Sequence, residues 1–272
     1  MAMRCDILTL FPAAVEPYLA VGVLGRGIAA GVLDVRVHDL RKWAVNRYGQ
    51  VDDEPYGGGP GMVLMVSAVV PAVRAVAAMA SEPPHVVLPD PRGRRFDDAV
   101  ARELASLGRI VFACGRYEGF DERVHETLRA DEISLGDFVL SGGELAALAM
   151  LDAVARHLPG VVGDPGSVAA DSFTSMLLDH PVYTRPREFE GVGVPDVLTS
   201  GDHEAVRRWR LRRAVLDTLR RRPDLVARGW AGLPDEVRRL ALAVASEEGL
   251  PRPPDGEAAP GERGNGGPES GR

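Results

Sequence analysis

Between Met3 and Leu158 short apolar runs alternate with amphipathic stretches. Cys5–Leu10 (CDILTL), Leu33–Leu40 (LDVRVHDL), His85–Asp90 (HVVLPD), Arg109–Gly115 (RIVFACG) and Asp131–Phe138 (DEISLGDF) predict strands. Several are too uniformly apolar to leave one face in water, as in a sheet covered on both sides. Val66–Ala80, Asp97–Gly108 and Gly142–Leu158 carry apolar residues at helical spacing, the last opened by glycines and closed by Pro159-Gly160. Strand and helix alternating in this way predict an α/β fold with a mostly parallel sheet flanked by helices.

The pattern dissolves from Val162 to Ser175 (VGDPGSVAADSFTS), which predicts a flexible linker. Beyond it, a helix capped by Ser200 or Asp202 and stopped by Pro223, and a second over Leu233–Leu250, predict a small helical unit. After Leu250 there is no Val, Ile, Leu, Met or aromatic residue, the composition of a disordered tail. The expected organisation is therefore a domain over 1–162, a linker over 163–175, a helical domain over 176–250 and a tail over 251–272.

Composition narrows the class. With 272 residues, 45% of them hydrophobic, the chain can bury large cores, and no window reads as a signal peptide or a membrane span. Its two cysteines both sit in apolar runs, which favours buried core thiols and a reduced, cytoplasmic setting. The net charge of −7 excludes a surface basic throughout, yet His203–Arg222 carries eight arginines against Glu204 and Asp217. Local patches decide nucleic-acid binding, because screening limits each charge to its neighbourhood.

Tyr56–Met62 (YGGGPGM) looks like a phosphate loop but lacks the Lys and Ser/Thr that should follow its last glycine, and Asp52, Asp53 and Glu54 precede it. Three other glycine-bearing segments, Pro89–Gly93, Cys114–Gly119 and Leu135–Glu144, each follow a strand. Open parallel sheets bind ligands at the carboxyl ends of their strands. The segments thus predict one site lined largely by backbone, suited to a neutral hydrogen-bonding group such as an adenosine.

PYGGGPGM, CGRYEGFDERV, SLGDFVLSGGELAAL, DAVARHLPG, ADSF, LLDHPVYTRP and SGDHEAVRRWRLRRAV occur in this order over about Met3 to Leu225. In them the chain closely resembles the bacterial tRNA (guanine-N1)-methyltransferases, the TrmD family of the knotted SPOUT superfamily. The resemblance implies a trefoil-knotted domain, S-adenosylmethionine as methyl donor, a magnesium requirement, a homodimer with shared sites, and methylation at N1 of the guanosine at position 37 of tRNA. It also assigns YGGGPGM to the knot and dimer interface, where glycine lets backbones approach closely.

By the same resemblance Asp171 is the general base and Arg156 the arginine that meets the guanine O6. Leu88, Pro89, Gly115, Tyr117, Glu118, Gly119, Leu135, Gly136, Phe138, Leu140, Ser141, Gly142 and Gly143 are the implied cofactor contacts. Arg207, Arg208, Arg210 and Arg212 around Trp209, with Arg185 and Tyr183 in DHPVYTRP, are the implied tRNA contacts, and Trp209 reads equally as a core residue. No metal ligand is assigned. The chain departs from the family at Pro89 and Asp90 (commonly Leu and Ser), Phe138 (Tyr), Ala146 (Pro) and Ala170 (Glu). Two other readings are a non-catalytic knotted RNA-binding protein, which the presence of both Asp171 and Arg156 opposes, and a ribose 2′-O-methyltransferase, whose motifs differ.

Overall fold

The computed structural model describes residues 2–163 and 171–254. Ala170, most of the expected linker and most of the expected tail lie outside the described residues. The chain divides into two compact units, Met1–Val168 and Ala169–Arg272.

In the first unit the elements run β1 (Met3–Thr9), α1 (Pro12–Leu19), α2 (Gly22–Ala29), β2 (Leu33–Asp39), the two-residue strands β3 (Asp52–Asp53) and β4 (Val63–Leu64), α3 (Val66–Ala77), β5 (His85–Arg95), α4 (Asp98–Ala105), β6 (Arg109–Ala113), α5 (Glu122–Leu128), β7 (Asp131–Ser134) and α6 (Glu144–Arg156). The five longer strands form one parallel sheet in the order β2-β1-β6-β5-β7. All five predicted strands are present, and every residue of β6 is buried, as a strand covered on both faces requires.

Side chains that alternate along a strand supply two cores. Cys5 and Ile7 of β1, with Ile110 and Phe112 of β6, pack under Met150, Leu151 and Val154 of α6. Leu8 and Ala113 face the other way, against Val69 and Val73 of α3. Cys5 and Cys114 are free and buried, and burial pushes both thiols well up, so neither is a nucleophile at neutral pH.

Three helices escape the sequence pattern. α1 begins at Pro12, which a strand reading sees only as a break, yet proline suits a first helical turn because its missing N–H has no partner there. α2 and α5 are short, and their periodicity spans barely two turns. β5 continues past Asp90 to Arg95 through a bulge: Pro89 and Arg94 both pair with Ile133, so residues 90–93 are pushed out of the ladder. β7 is shorter than expected, ending at Ser134 before Gly136 turns away at φ +151°.

A buried ionic network ties sheet to helix. Asp6 of β1 is fully buried and takes hydrogen bonds from Arg4, Arg109 and His38. Burial by itself would raise this carboxyl, but the bonds from His38, Arg4 and Arg109 outweigh it and hold the pKa at about 2, below the ordinary 3.8. A lowered carboxylate pKa stabilises above the unfolded value and loses that contribution as pH falls toward the folded one. Unfolding free energy measured from pH 5 down to 2 should therefore decline, and Asp6→Asn should flatten the decline.

In the second unit Asp202 caps the long helix His203–Arg221, accepting from the N–H groups of Glu204 and Ala205 at 3.0 Å each. Pro223 does stop that helix, and it also opens another, Pro223–Gly229. Val215, Leu216 and Leu219 pack with Val226, Trp230, Val237, Ala241 and Val244 in a separate core. Asp171 to Ser175, expected in the linker, are hydrogen-bonded turns: Phe173 N–H donates to Leu177 O at 2.8 Å, and Asp179 N–H to Ser172 Oγ at 2.9 Å.

Candidate active site

The carboxyl ends of β5, β6 and β7 open into one cleft of about 510 Å³, inside the range of roughly 300–1,000 Å³ common for small-molecule sites. Its walls are the bulge Pro89–Arg92, the loop Gly115–Phe120, the segment Ile133–Gly143 and Ala146 of α6. All of the implied cofactor contacts except one line it: Pro89, Gly115, Tyr117, Glu118, Gly119, Leu135, Gly136, Phe138, Leu140, Ser141, Gly142 and Gly143. Leu88 is fully buried and does not reach the cleft surface.

Glycine makes these walls possible. The Gly143 N–H donates to Gly115 O at 2.9 Å, and a Cβ on Gly143 would stand 3.0 Å from both Cys114 Cα and Gly115 N. The loop after β6 turns through Tyr117 at φ +60° and Gly119 at +101°. At the base of the bulge, a Cβ on Gly93 would lie 2.2 Å from the Glu132 carbonyl carbon, closer than any backbone allows. Gly93→Ala should therefore open the β5–β7 edge at an overpacking cost of about 1–3 kcal/mol, with weakened ligand binding in the cleft. Thermal denaturation and calorimetric titration check both parts, and an unchanged melting temperature would refute the close approach.

The glycine-rich loop joins the cleft from behind. The Glu118 N–H donates to Met62 O at 3.0 Å and the Leu64 N–H to Gly119 O at 2.9 Å, so YGGGPGM leads straight into a pairing with the cleft wall. Gly57, Gly58, Gly59 and Gly61 all have positive φ, and a Cβ on Gly61 would overlap the Glu118 carboxylate. Glycine serves this loop chiefly through its left-handed backbone, since a Cβ on Gly57, Gly58 or Gly59 would meet nothing within 4 Å.

Sequence reasoning missed the brace that holds the walls together. Glu144, buried in the first turn of α6, accepts from Thr9 Oγ1 at 2.7 Å and pairs with Arg116 at 3.2 Å. Arg116 donates onward to Ser141 O at 3.1 Å and covers the Phe11 ring at 4.4 Å. An acid opening an otherwise apolar helix (GGELAAL) is the signal that could have marked Glu144. The bulge has its own brace. Asp90, one of the departures from the family pattern, accepts from the backbone and side chain of Arg92, and Arg92 reaches Glu122 at 2.9 Å.

With these pairs formed, Glu118 is the one charged residue lining the cleft whose side chain has no hydrogen-bond or ion-pair partner among the described residues. The cleft therefore presents backbone groups, apolar faces and a single available carboxylate.

A family model described as "tRNA (Guanine-1)-methyltransferase TrmD" matches residues 3–228. The chain belongs to this family. Among curated proteins named tRNA (guanine-N(1)-)-methyltransferase, that of Frankia alni is 51% identical over 261 residues, covering 95% of this chain and 97% of the relative. That of Geobacter metallireducens is 50% identical, covering 91% and 99%, and that of Deinococcus radiodurans 49%, covering 89% and 87%.

The other TrmD-like residues divide between the units. Arg156 is the last residue of α6, half-buried, and Asp171 is the first described residue of the second unit, also half-buried. Among the implied tRNA contacts, Arg207 pairs with Glu204 at 3.0 Å and Arg212 with Glu247 at 2.7 Å. Arg185, Arg208 and Arg210 are exposed and have no carboxylate partner among the described residues. Trp209 is half-buried with its ring 6.3 Å from that of Tyr183, so it serves packing and surface together. Among the described residues no group of three His, Cys, Asp or Glu is placed to hold a metal ion, so the implied magnesium finds no side-chain cluster. No described helix is long and apolar enough to cross a membrane.

Proposed function

We propose that this protein transfers a methyl group from S-adenosylmethionine to N1 of the guanosine at position 37 of tRNA. The observation that carries the cofactor is the cleft itself: backbone and apolar walls of the right size for an adenosine, beside the unpartnered Glu118 carboxylate, which suits a cationic tail. When bound, the cofactor supplies an electrophilic methyl on a sulfonium. Two requirements are left to the side chains.

N1 of guanine must lose its proton as it attacks, and charge then grows on O6. Asp171 takes that proton. Arg156 meets O6 with a fixed cation, which acts most strongly where charge develops in a water-poor site. Glu118 holds the cationic end of the cofactor. The two reacting side chains belong to different units, so we further propose a homodimer with shared sites, a trefoil crossing of the chain at the cleft, and YGGGPGM at the junction of knot and partner. Arg185, Arg207, Arg208, Arg210 and Arg212 meet the tRNA; the pairs of Arg207 and Arg212 with glutamates are exposed, so water screens them and phosphates can displace them.

The test is methyl transfer from labelled S-adenosylmethionine to two tRNA transcripts, one with guanosine at position 37 after a guanosine and one with adenosine there. Label on the first alone, mapped to N1, is the expected result. Label on neither, with cofactor and tRNA both bound, would favour a non-catalytic RNA-binding protein. Label on a ribose would reassign the reaction.

A further inference from the structure

The second unit contains a concavity of about 400 Å³ that includes His180, Tyr183, Arg185, Arg187, Leu198 and Arg210 in its lining. No Asp or Glu lines it. Arg185 and Arg210 have no partner among the described residues, and Arg187 is held only by an exposed pair with Asp196 at 3.0 Å, which water screens strongly. The exposed Tyr183 ring is backed by Trp209, 6.3 Å away and tilted by 57°. Guanidinium groups, a braced aromatic ring and apolar Leu198 thus converge on a hollow the size of one nucleotide.

Resting on the tRNA reading above, we propose that this hollow is a subsite for one unpaired nucleotide of the anticodon loop, its phosphate on Arg185 and Arg210 and its base against Tyr183. Shape favours a single strand over a duplex. Bases inside a helix offer no free face to an aromatic ring, whereas splayed loop bases stack readily on aromatics and arginine planes. A duplex backbone would meet an outward basic surface such as that of Arg208 instead. The subsite would anchor the loop from the second unit while the target base is delivered elsewhere.

The full-length protein and its Arg185→Gln/Arg210→Gln and Tyr183→Ala variants are titrated by fluorescence anisotropy with two RNAs. One is an anticodon stem-loop, the other the same stem closed by a stable tetraloop. Both variants should bind the stem-loop more weakly, on the order of tenfold, and the tetraloop stem as the parent does. The arginine variant should also lose about 0.7 in salt slope for each lost single-strand phosphate contact, while Tyr183→Ala keeps the parent slope because stacking releases no counterions. An unchanged thermal unfolding profile and far-UV circular dichroism spectrum confirm that the second unit of each variant, which has its own core, is folded. Equal losses on both RNAs would make this a duplex-binding face, and no loss on either would remove RNA from it; both results overturn the proposal. Failure of the catalytic reading is seen separately, as absent methyl transfer by the unmutated protein.

Discussion

Asp171→Ala is expected to reduce methyl transfer to tRNA by a factor on the order of 10²–10⁴, the usual worth of a positioned general base, with S-adenosylmethionine affinity unchanged. N1 of guanine carries a proton at neutral pH, and its lone pair is free to attack a methyl only as that proton leaves. The group that takes it must be an acceptor close to the base, and Asp171 is the residue we propose for this task. Its position makes the two readouts independent. The cofactor cleft is lined by residues from Pro89 to Ala146 of the first unit, whereas Asp171 opens the described part of the second. Single-turnover methylation and calorimetric titration of the cofactor check the two parts. A loss of cofactor affinity that matched the loss of turnover would remove Asp171 from the role of base. Asp171→Asn should be nearly as slow, because an amide keeps the shape and loses the acceptor charge.

Arg109→Met should destabilise the first unit by about 3–5 kcal/mol, the range for removing one partner of a buried ion pair. Arg109 is 2% exposed, and its fork satisfies several buried acceptors at once. It donates to Asp6 of β1 and to the carbonyls of Val76 at 2.6 Å, Ala77 at 2.8 Å and Glu82 at 3.0 Å. The first two close the carboxyl end of α3, where helix carbonyls have no partner of their own. Methionine fills much of the volume and satisfies none of these oxygens. Arg4 and His38 still hold Asp6, so the larger part of the loss falls on the carbonyls. Arg109→Lys should lie between the two, since an ammonium cannot reproduce the planar fork. Denaturant unfolding measures all three, and a midpoint for Arg109→Met equal to the parent's would refute the account.

The hydrophobic pattern located all five strands of the parallel sheet: β6 is buried throughout and reads as an unbroken apolar run, while β2 shows its apolar positions in alternation, and both signals are written locally. It failed where a local signal is too short or has two meanings. Pro12 and Pro223 read as breaks and proved to be helix starts as well, because a proline ends one run of hydrogen bonds and suits the first turn of the next. β5 read as ending at Asp90 because Pro89, Pro91 and Gly93 look like a loop; the bulge lets the chain resume pairing with Ile133 afterwards. The linker residues Asp171 to Ser175 lack periodicity, yet side-chain and backbone bonds fold them into turns.

By itself the sequence determined the α/β class, the strand positions, the capped arginine-rich helix and, through its ordered motifs, the family. These depend on residues near one another in the chain, where spacing and chemistry can be read together. Only the tertiary structure decided which charges are free to act. Glu144, Arg116, Asp90 and Arg92 pair with one another or with neighbours around the cleft, leaving the Glu118 side chain; Arg207 and Arg212 share exposed pairs with glutamates, whereas Arg185, Arg208 and Arg210 form no ion pair among the described residues. A carboxylate and a guanidinium neutralise each other only within a few ångströms, and the fold can bring Thr9 to Glu144, or Arg212 to Glu247, across stretches of chain that sequence spacing does not measure.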